Sequence, residues 1–313
     1  MNNIKLYVIL LTILGTLASS VMFLIIKYLS SDLNTYMIAF FRAFIGLIIL
    51  SPIIIRSKIN IFKTKNLKIH ILRGVINSLT MLLTFTGISL IALEKAAALT
   101  CAVPLYATIL SILILKEVIK IHRTIGLVFG FIGILIVLRP GFIELEIGSL
   151  IIITATFMFA FVIIIVKYLT RTDSVITIMT YGLSIISPIL FVIALFNWQT
   201  PDFTQSILLV CIALCGTLVM FCSNKALELA ETSFVMPFRF TKLIWTSIIG
   251  YTIFLEIPDI WTWIGGMIVI LSVSYIAYRD SLNKSEKKFK EEYSLTLNQL
   301  PINQKTADQI IDE

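Results

Sequence analysis

Residues 233–245 read SFVMPFRFTKLIW, which places two cations inside an apolar run from Thr232 to Phe254 long enough to cross a bilayer. Arg239 and Lys242 are three residues apart and share a face if the run is helical. A charge near the middle of a membrane costs roughly 3 kcal/mol or more. The run is therefore tolerable in a bilayer only if water, backbone carbonyls or the negative group of a ligand meets the cations.

Composition gives the setting. Hydrophobic residues make up 58% of the chain and charged residues 14%, with a mean hydropathy of +0.99. Soluble domains average about 45–50% apolar and about 25% charged. The expected fold class is an all-α polytopic membrane protein. Ten apolar runs match the hydrocarbon thickness, at 7–27, 36–55, 70–91, 96–115, 122–139, 147–169, 175–196, 205–224, 232–254 and 260–278. The first run is too long for a cleavable signal, and a second run follows it at once. Residues 280–313 are polar, include KSEKKFKEEY at 284–293, and read as a disordered tail.

The chain repeats itself. IKYLSSD at 26–32 returns as VKYLTRTD at 166–173, and the SP pair at 51 and 52 returns at 187 and 188. Glu117, Gly126 and Arg139 return as Glu256, Gly265 and Arg279, shifted by 139, 139 and 140 positions. The sequence thus divides into two five-span halves. An odd number of spans per half puts the second half into the membrane from the opposite side, so the halves are expected to be inverted. Loop charges agree with the N-terminus inside: 18 of the 25 basic residues then fall in cytoplasmic segments and 3 outside, because Lys and Arg accumulate on the cytoplasmic side. The equivalent loops KEVIKIHR at 116–123 and EIPDIW at 256–261 carry opposite charge, as opposite sides require.

The duplication, together with FFR at 40–42, HILRG at 70–74, VP at 103 and 104 followed by KE at 116 and 117, and MPFRFTKLIWTSIIGYTIFLEIPDIWTWIGG at 236–266, resembles the EamA branch of the drug/metabolite transporter superfamily. The resemblance implies ten transmembrane helices as two inverted five-helix EamA repeats, over 4–139 and 147–279. It also implies cytoplasmic termini and a central cavity worked by alternating access. Within the superfamily, AFFR at 39–42 with HILRG at 70–74 is similar to S-adenosylmethionine uptake carriers of intracellular bacteria, which implies the cell inner membrane as the location. The alternatives are a carrier or exporter of amino acids or other nucleotide-like metabolites, or a multispan membrane enzyme.

Four basic residues stand three or more residues inside the span ends: Arg42, Arg73, Arg239 and Lys242. None has a charged counterpart in the other half, and no carboxylate lies deep in the spans to neutralise them. Residues kept in one half alone suit an asymmetric task such as gripping a substrate, and a guanidinium suits bidentate capture of a carboxylate or phosphate. Arg73 stands three residues into its span, and Lys242 has a long stem, so outward snorkelling is open to both. Arg42 and Arg239 lie six and seven residues from the nearest span end, about 10 Å at helical rise.

Around these cations, Tyr106, Phe238 and Trp245 offer stacking surfaces, and Asn77 and Asn224 offer amide hydrogen bonds. Pro104 and Pro237 each remove a helix hydrogen bond and mark helix breaks, which commonly border a transport site. Pro104 stands 13 residues before Glu117 and Pro237 stands 19 before Glu256, so the prolines are not strict equivalents. Glu117 and Glu256 fit gate or helix-end roles at opposite membrane surfaces.

Enzyme chemistry finds little support. His70 and His122 lack acidic or cysteine partners at a catalytic or metal-ligand spacing, and no phosphate-cradling GxxxxGK[ST] occurs. Cys211, Cys215 and Cys222 share a helix face and, with Cys101, read as small buried residues. No cofactor or metal is expected. The expected partners are the lipid bilayer and a small-molecule metabolite, with no nucleic acid.

Overall fold

The computed structural model describes residues 3–56, 64–91, 93–117, 120–138 and 146–254, together with 260, 261, 264, 265, 267, 268, 271, 272, 275, 278 and 279. All regular structure among the described residues is helical. In chain order the helices are α1 Asn3–Leu29, α2 Thr35–Arg56, α3 Leu67–Leu90, α4 Leu93–Thr100, α5 Val103–Leu115, α6 Ile121–Leu138, α7 Ile147–Leu169, α8 Val175–Leu195, α9 Phe203–Leu229, α10 Thr232–Val235 and α11 Thr241–Phe254. A 3₁₀ turn, Met236–Phe240, joins α10 to α11. Seven described helical stretches are long and apolar enough to cross a membrane, and Ile121–Gly133 is a shorter apolar one. The chain is thus an all-helical membrane protein.

Local chemistry sets the helix starts. Asp202 accepts from the Gln205 amide at 2.7 Å while the Gln205 side chain accepts from the Asp202 amide at 3.0 Å, a reciprocal cap on α9. Ser174 caps α8 by accepting from the Thr177 amide at 3.1 Å.

Two expected spans are interrupted. The run at 96–115 divides into α4 and α5 around Cys101 and Ala102, with Pro104 in the first turn of α5. The run at 232–254 divides into α10, the 3₁₀ turn carrying Pro237, and α11. Proline is accommodated in a first turn because its missing N–H would have no intrahelical partner there. LEKAA at 93–97 forms the first turns of α4. Glu256, Arg139 and the tail from 280 lie outside the described residues.

Packing crosses between the halves. α1 runs along α9, α3 along α7, and α2 against α8 and α9, while α3 also meets α8. α5 packs on α7 and α11 on α1. Large apolar side chains such as Ile55, Phe196 and Phe203 are more than four-fifths exposed at the periphery, as a lipid-facing surface requires. The α3–α7 crossing is close because it is lined by glycine: a Cβ on Gly87 would lie 2.3 Å from the Ile152 side chain, and one on Gly148 would lie 2.6 Å from that of Ile91.

Gly87→Val is expected to destabilise the purified protein by about 1–3 kcal/mol through overpacking, read as a thermal midpoint several degrees lower in detergent. An unchanged midpoint would show that this crossing has slack.

Candidate functional site

A cavity of about 200 Å³ lies inside the bundle, walled by α1, α2, α3, α7 and α9 and by the broken segments around Thr100 and Arg239. All four cations of the spans line it, Arg42, Arg73, Arg239 and Lys242, and no carboxylate does among its described lining residues. The remainder of the wall is mostly apolar, with hydroxyl groups from Thr12, Thr16, Thr80, Thr84, Thr100 and Ser223.

Each cation is held differently. Arg73 is 2% exposed and donates from Nη1 to the Ile178 carbonyl of α8 at 2.7 Å. Snorkelling, one position open to it from sequence, does not occur: the side chain turns inward, where Gly182 leaves room. Arg42 donates from Nη2 to the Gly216 carbonyl at 3.1 Å, and its Nη1 has the Met81 sulfur at 3.8 Å, a weak acceptor. Arg239 donates to the Ser223 hydroxyl at 3.2 Å and stands 5.6 Å from the Phe159 ring centre. Lys242 donates to the Thr100 hydroxyl at 3.2 Å and lies 3.1 Å from the Phe23 ring centre. It too stays inside. Ring faces attract cations because the aromatic quadrupole is negative there.

The glycines opposite the arginines are part of the arrangement. A Cβ on Gly216 would come within 2.4 Å of Arg42 Nε, and one on Gly182 within 2.8 Å of Arg73 Nη1. Gly182 is also the position that repeats Arg42 at a shift of 140, so one half carries the charge where the other leaves a space.

Among the expected amides, Asn77 lines the cavity, as does Asn224, which is 3% exposed and whose Nδ2 has no partner among the described residues. Pro104 lines it and Pro237 does not. The expected stacking surfaces are placed elsewhere. Tyr106 meets Phe157 edge-on at 5.5 Å, Phe238 is 1% exposed against Phe234, and Trp245 is absent from the wall. The 3₁₀ winding of 236–240 departs from the helical 3.6-residue period, so Phe238 turns into the packing of the bundle. The cavity's ring faces come instead from Phe23, Phe85 and Phe159.

Further polar contacts tie helix ends together, among residues that do not line the cavity. The Glu117 carboxylate accepts the Thr232 and Ser233 amides at 3.2 and 3.3 Å, so it caps the start of α10. Arg123, 5% exposed, pairs with Glu231 and donates to the Ser233 hydroxyl. His70, which has no acidic neighbour in sequence, stands 3.5 Å from Asp173 of the other half and stacks on Tyr181.

The EamA-like transporter family model matches the chain twice, over residues 6–139 and 146–278. The chain belongs to the EamA-like transporter family. This EamA chain is 30% identical over 279 residues to the S-adenosylmethionine uptake transporter of Rickettsia bellii, which covers 89% of this chain and 94% of that one. It is 34% identical over 183 residues to the riboflavin transporter of Vibrio cholerae, covering 58% of this chain and 61% of the relative. A solved crystal structure superposes with a TM-score of 0.68 at 11% identity, over 87% of this chain and 94% of that one, which is agreement in fold. EamA membership bears out the reading of the chain as a transporter and not an enzyme.

Gly216→Ala is expected to leave protein levels near normal, because the clashing atom belongs to a flexible side chain, while lowering transport about tenfold or more by displacing the Arg42 guanidinium. Transport unchanged in that variant would remove Arg42 from the site.

Proposed function

We propose that this chain is a secondary carrier that takes up S-adenosylmethionine across a bacterial inner membrane by alternating access. Residues 4–139 and 147–279 are its two inverted five-helix halves, and 280–313 is a cytoplasmic tail. The observation that carries the reading is a cavity with four cations and no carboxylate on its described wall, in a chain similar over nearly its whole length to S-adenosylmethionine uptake transporters.

The repeat assignment has support in matched contacts. Lys27, at the end of α1, donates to the Ser89 and Ile91 carbonyls at 3.0 and 2.8 Å, past the last turn of α3. Lys167, its counterpart 140 positions on, donates to the Leu227 and Ala230 carbonyls at 2.7 and 2.6 Å, at the end of α9. The loop charges place the first pair outside and the second inside, which fits an inverted repeat. The interhelix packing has the same symmetry, since α1 on α9 and α3 on α7 exchange places when the halves are swapped.

Arg42, whose Nη1 has only the weak Met81 sulfur as acceptor, takes the substrate carboxylate, and the Phe85 ring takes the adenine. Riboflavin, a neutral ring system without a carboxylate, leaves the arginines unanswered, so the amino-acid nucleoside is the better fit. Glu117 and Glu256 act at the two helix ends.

Proteoliposomes are expected to show saturable S-adenosylmethionine uptake that S-adenosylhomocysteine blocks and methionine does not, with Arg42→Ala reducing it about tenfold or more at normal protein levels. Absence of saturable uptake in either orientation overturns the substrate.

Single cysteines in a cysteine-free background test the topology: position 65 is expected to react only from the cytoplasmic side, and position 146 only from outside. Strong external labelling at 65 overturns the inverted arrangement.

A further inference from the structure

Arg239 and Lys242 differ from the other two cations in what they touch. Arg42 and Arg73 each donate to a backbone carbonyl, which is a fixed acceptor. Arg239 and Lys242 donate to hydroxyls instead, those of Ser223 and Thr100. The Ser223 hydroxyl, while accepting from Arg239, can donate its own proton, and the buried Asn224 Nδ2 beside it on α9 has no partner among the described residues. Guanidinium, ammonium, hydroxyl and amide together offer hydrogen-bond donors with no negative group among the described lining residues to receive them.

Position along α9 separates this group from the carboxylate grip. Arg42 sits over Gly216 and Arg239 on Ser223, seven residues further along the same helix. Seven residues are nearly two turns, so both contacts lie on one face of α9, about 10 Å apart. A substrate with one carboxylate satisfies the first and leaves the second. S-adenosylmethionine has one carboxylate and two positive centres, so its arrival adds positive charge to an already cationic cavity.

We propose that Arg239, Lys242, Ser223 and Asn224 form a site for a small monovalent inorganic anion of the halide class, occupied together with the cationic substrate. The proposal rests on the carrier reading above for its substrate, but the anion site can be measured without that substrate. The Phe23 and Phe159 rings beside the two cations make the surroundings apolar. Such a wall favours a weakly hydrated ion such as chloride over sulfate or phosphate, whose dehydration costs far more. The anion neutralises the second cation pair, and the substrate's sulfonium and ammonium then meet a cavity of lower positive charge.

The test compares chloride with gluconate at constant ionic strength on the purified full-length protein. Chloride is expected to raise the thermal midpoint of the unliganded protein by a few degrees, and Ser223→Ala or Lys242→Met to abolish that rise. S-adenosylmethionine is expected to bind about tenfold more tightly in chloride, an advantage lost in the same variants. A thermal midpoint and substrate affinity that are the same in both salts overturn the anion site and leave the substrate assignment standing. A chloride-dependent midpoint that both variants remove, without S-adenosylmethionine binding in either salt, supports the anion site and overturns the substrate assignment. A chloride effect that survives in both variants also overturns the site, because it then arises elsewhere.

Discussion

Positive charge held inside an apolar bundle, with no carboxylate among the described residues of the cavity wall to answer it, is the constraint around which this molecule is arranged. At an effective dielectric constant of about 20, two unit charges about 4 Å apart interact by about 4 kcal/mol, so four cations on one cavity wall cannot be left to chance. The protein meets each with a different weak partner: a carbonyl of α8, a carbonyl of α9, a serine hydroxyl and a threonine hydroxyl. None is a formal negative charge. The side chains are positioned, and their electrostatic demand is left for a ligand.

Holding them there depends on backbone that is not uniformly helical. The breaks between α4 and α5 and between α10 and α11 bring Thr100, Arg239 and Lys242 to the cavity. Irregular backbone in a membrane protein survives only where it is buried in protein or lines a polar space. Here both conditions are met, and the ends are tied: Glu117 caps α10, while Lys27 and Lys167 satisfy carbonyls at the ends of α3 and α9. A lysine at a helix C-terminus also answers the negative end of the macrodipole. The lysines that the loop statistics assign to opposite membrane faces therefore have the same structural task in both halves.

Small residues do the complementary work. Gly87 and Gly148 let α3 and α7 approach, and Gly182 and Gly216 leave space that the guanidinium groups of Arg73 and Arg42 occupy. A methyl group at any of these positions fills volume already taken. Helix contact in lipid rests on close van der Waals packing, so these glycines fix both the bundle and the site it encloses.

The sequence by itself determined the class, the repetition and the cations. Hydropathy reads directly as membrane helices because backbone polar groups in lipid must bond within the helix, and lone charges in such helices stand out because they are costly. Arg42, Arg73, Arg239 and Lys242 were legible for that reason, and all four line the cavity. Tertiary structure decided what lies opposite them. Arg73 turns to Ile178 and not to the surface, Tyr106, Phe238 and Trp245 leave the wall, and Phe23, Phe85 and Phe159 take their place. Apolar residues are found on every face of a membrane helix, so periodicity does not distinguish a ring that faces lipid from one that faces the cavity. That distinction, with the pairings of Arg123 to Glu231 and His70 to Asp173, comes only from how the helices of the two halves pack.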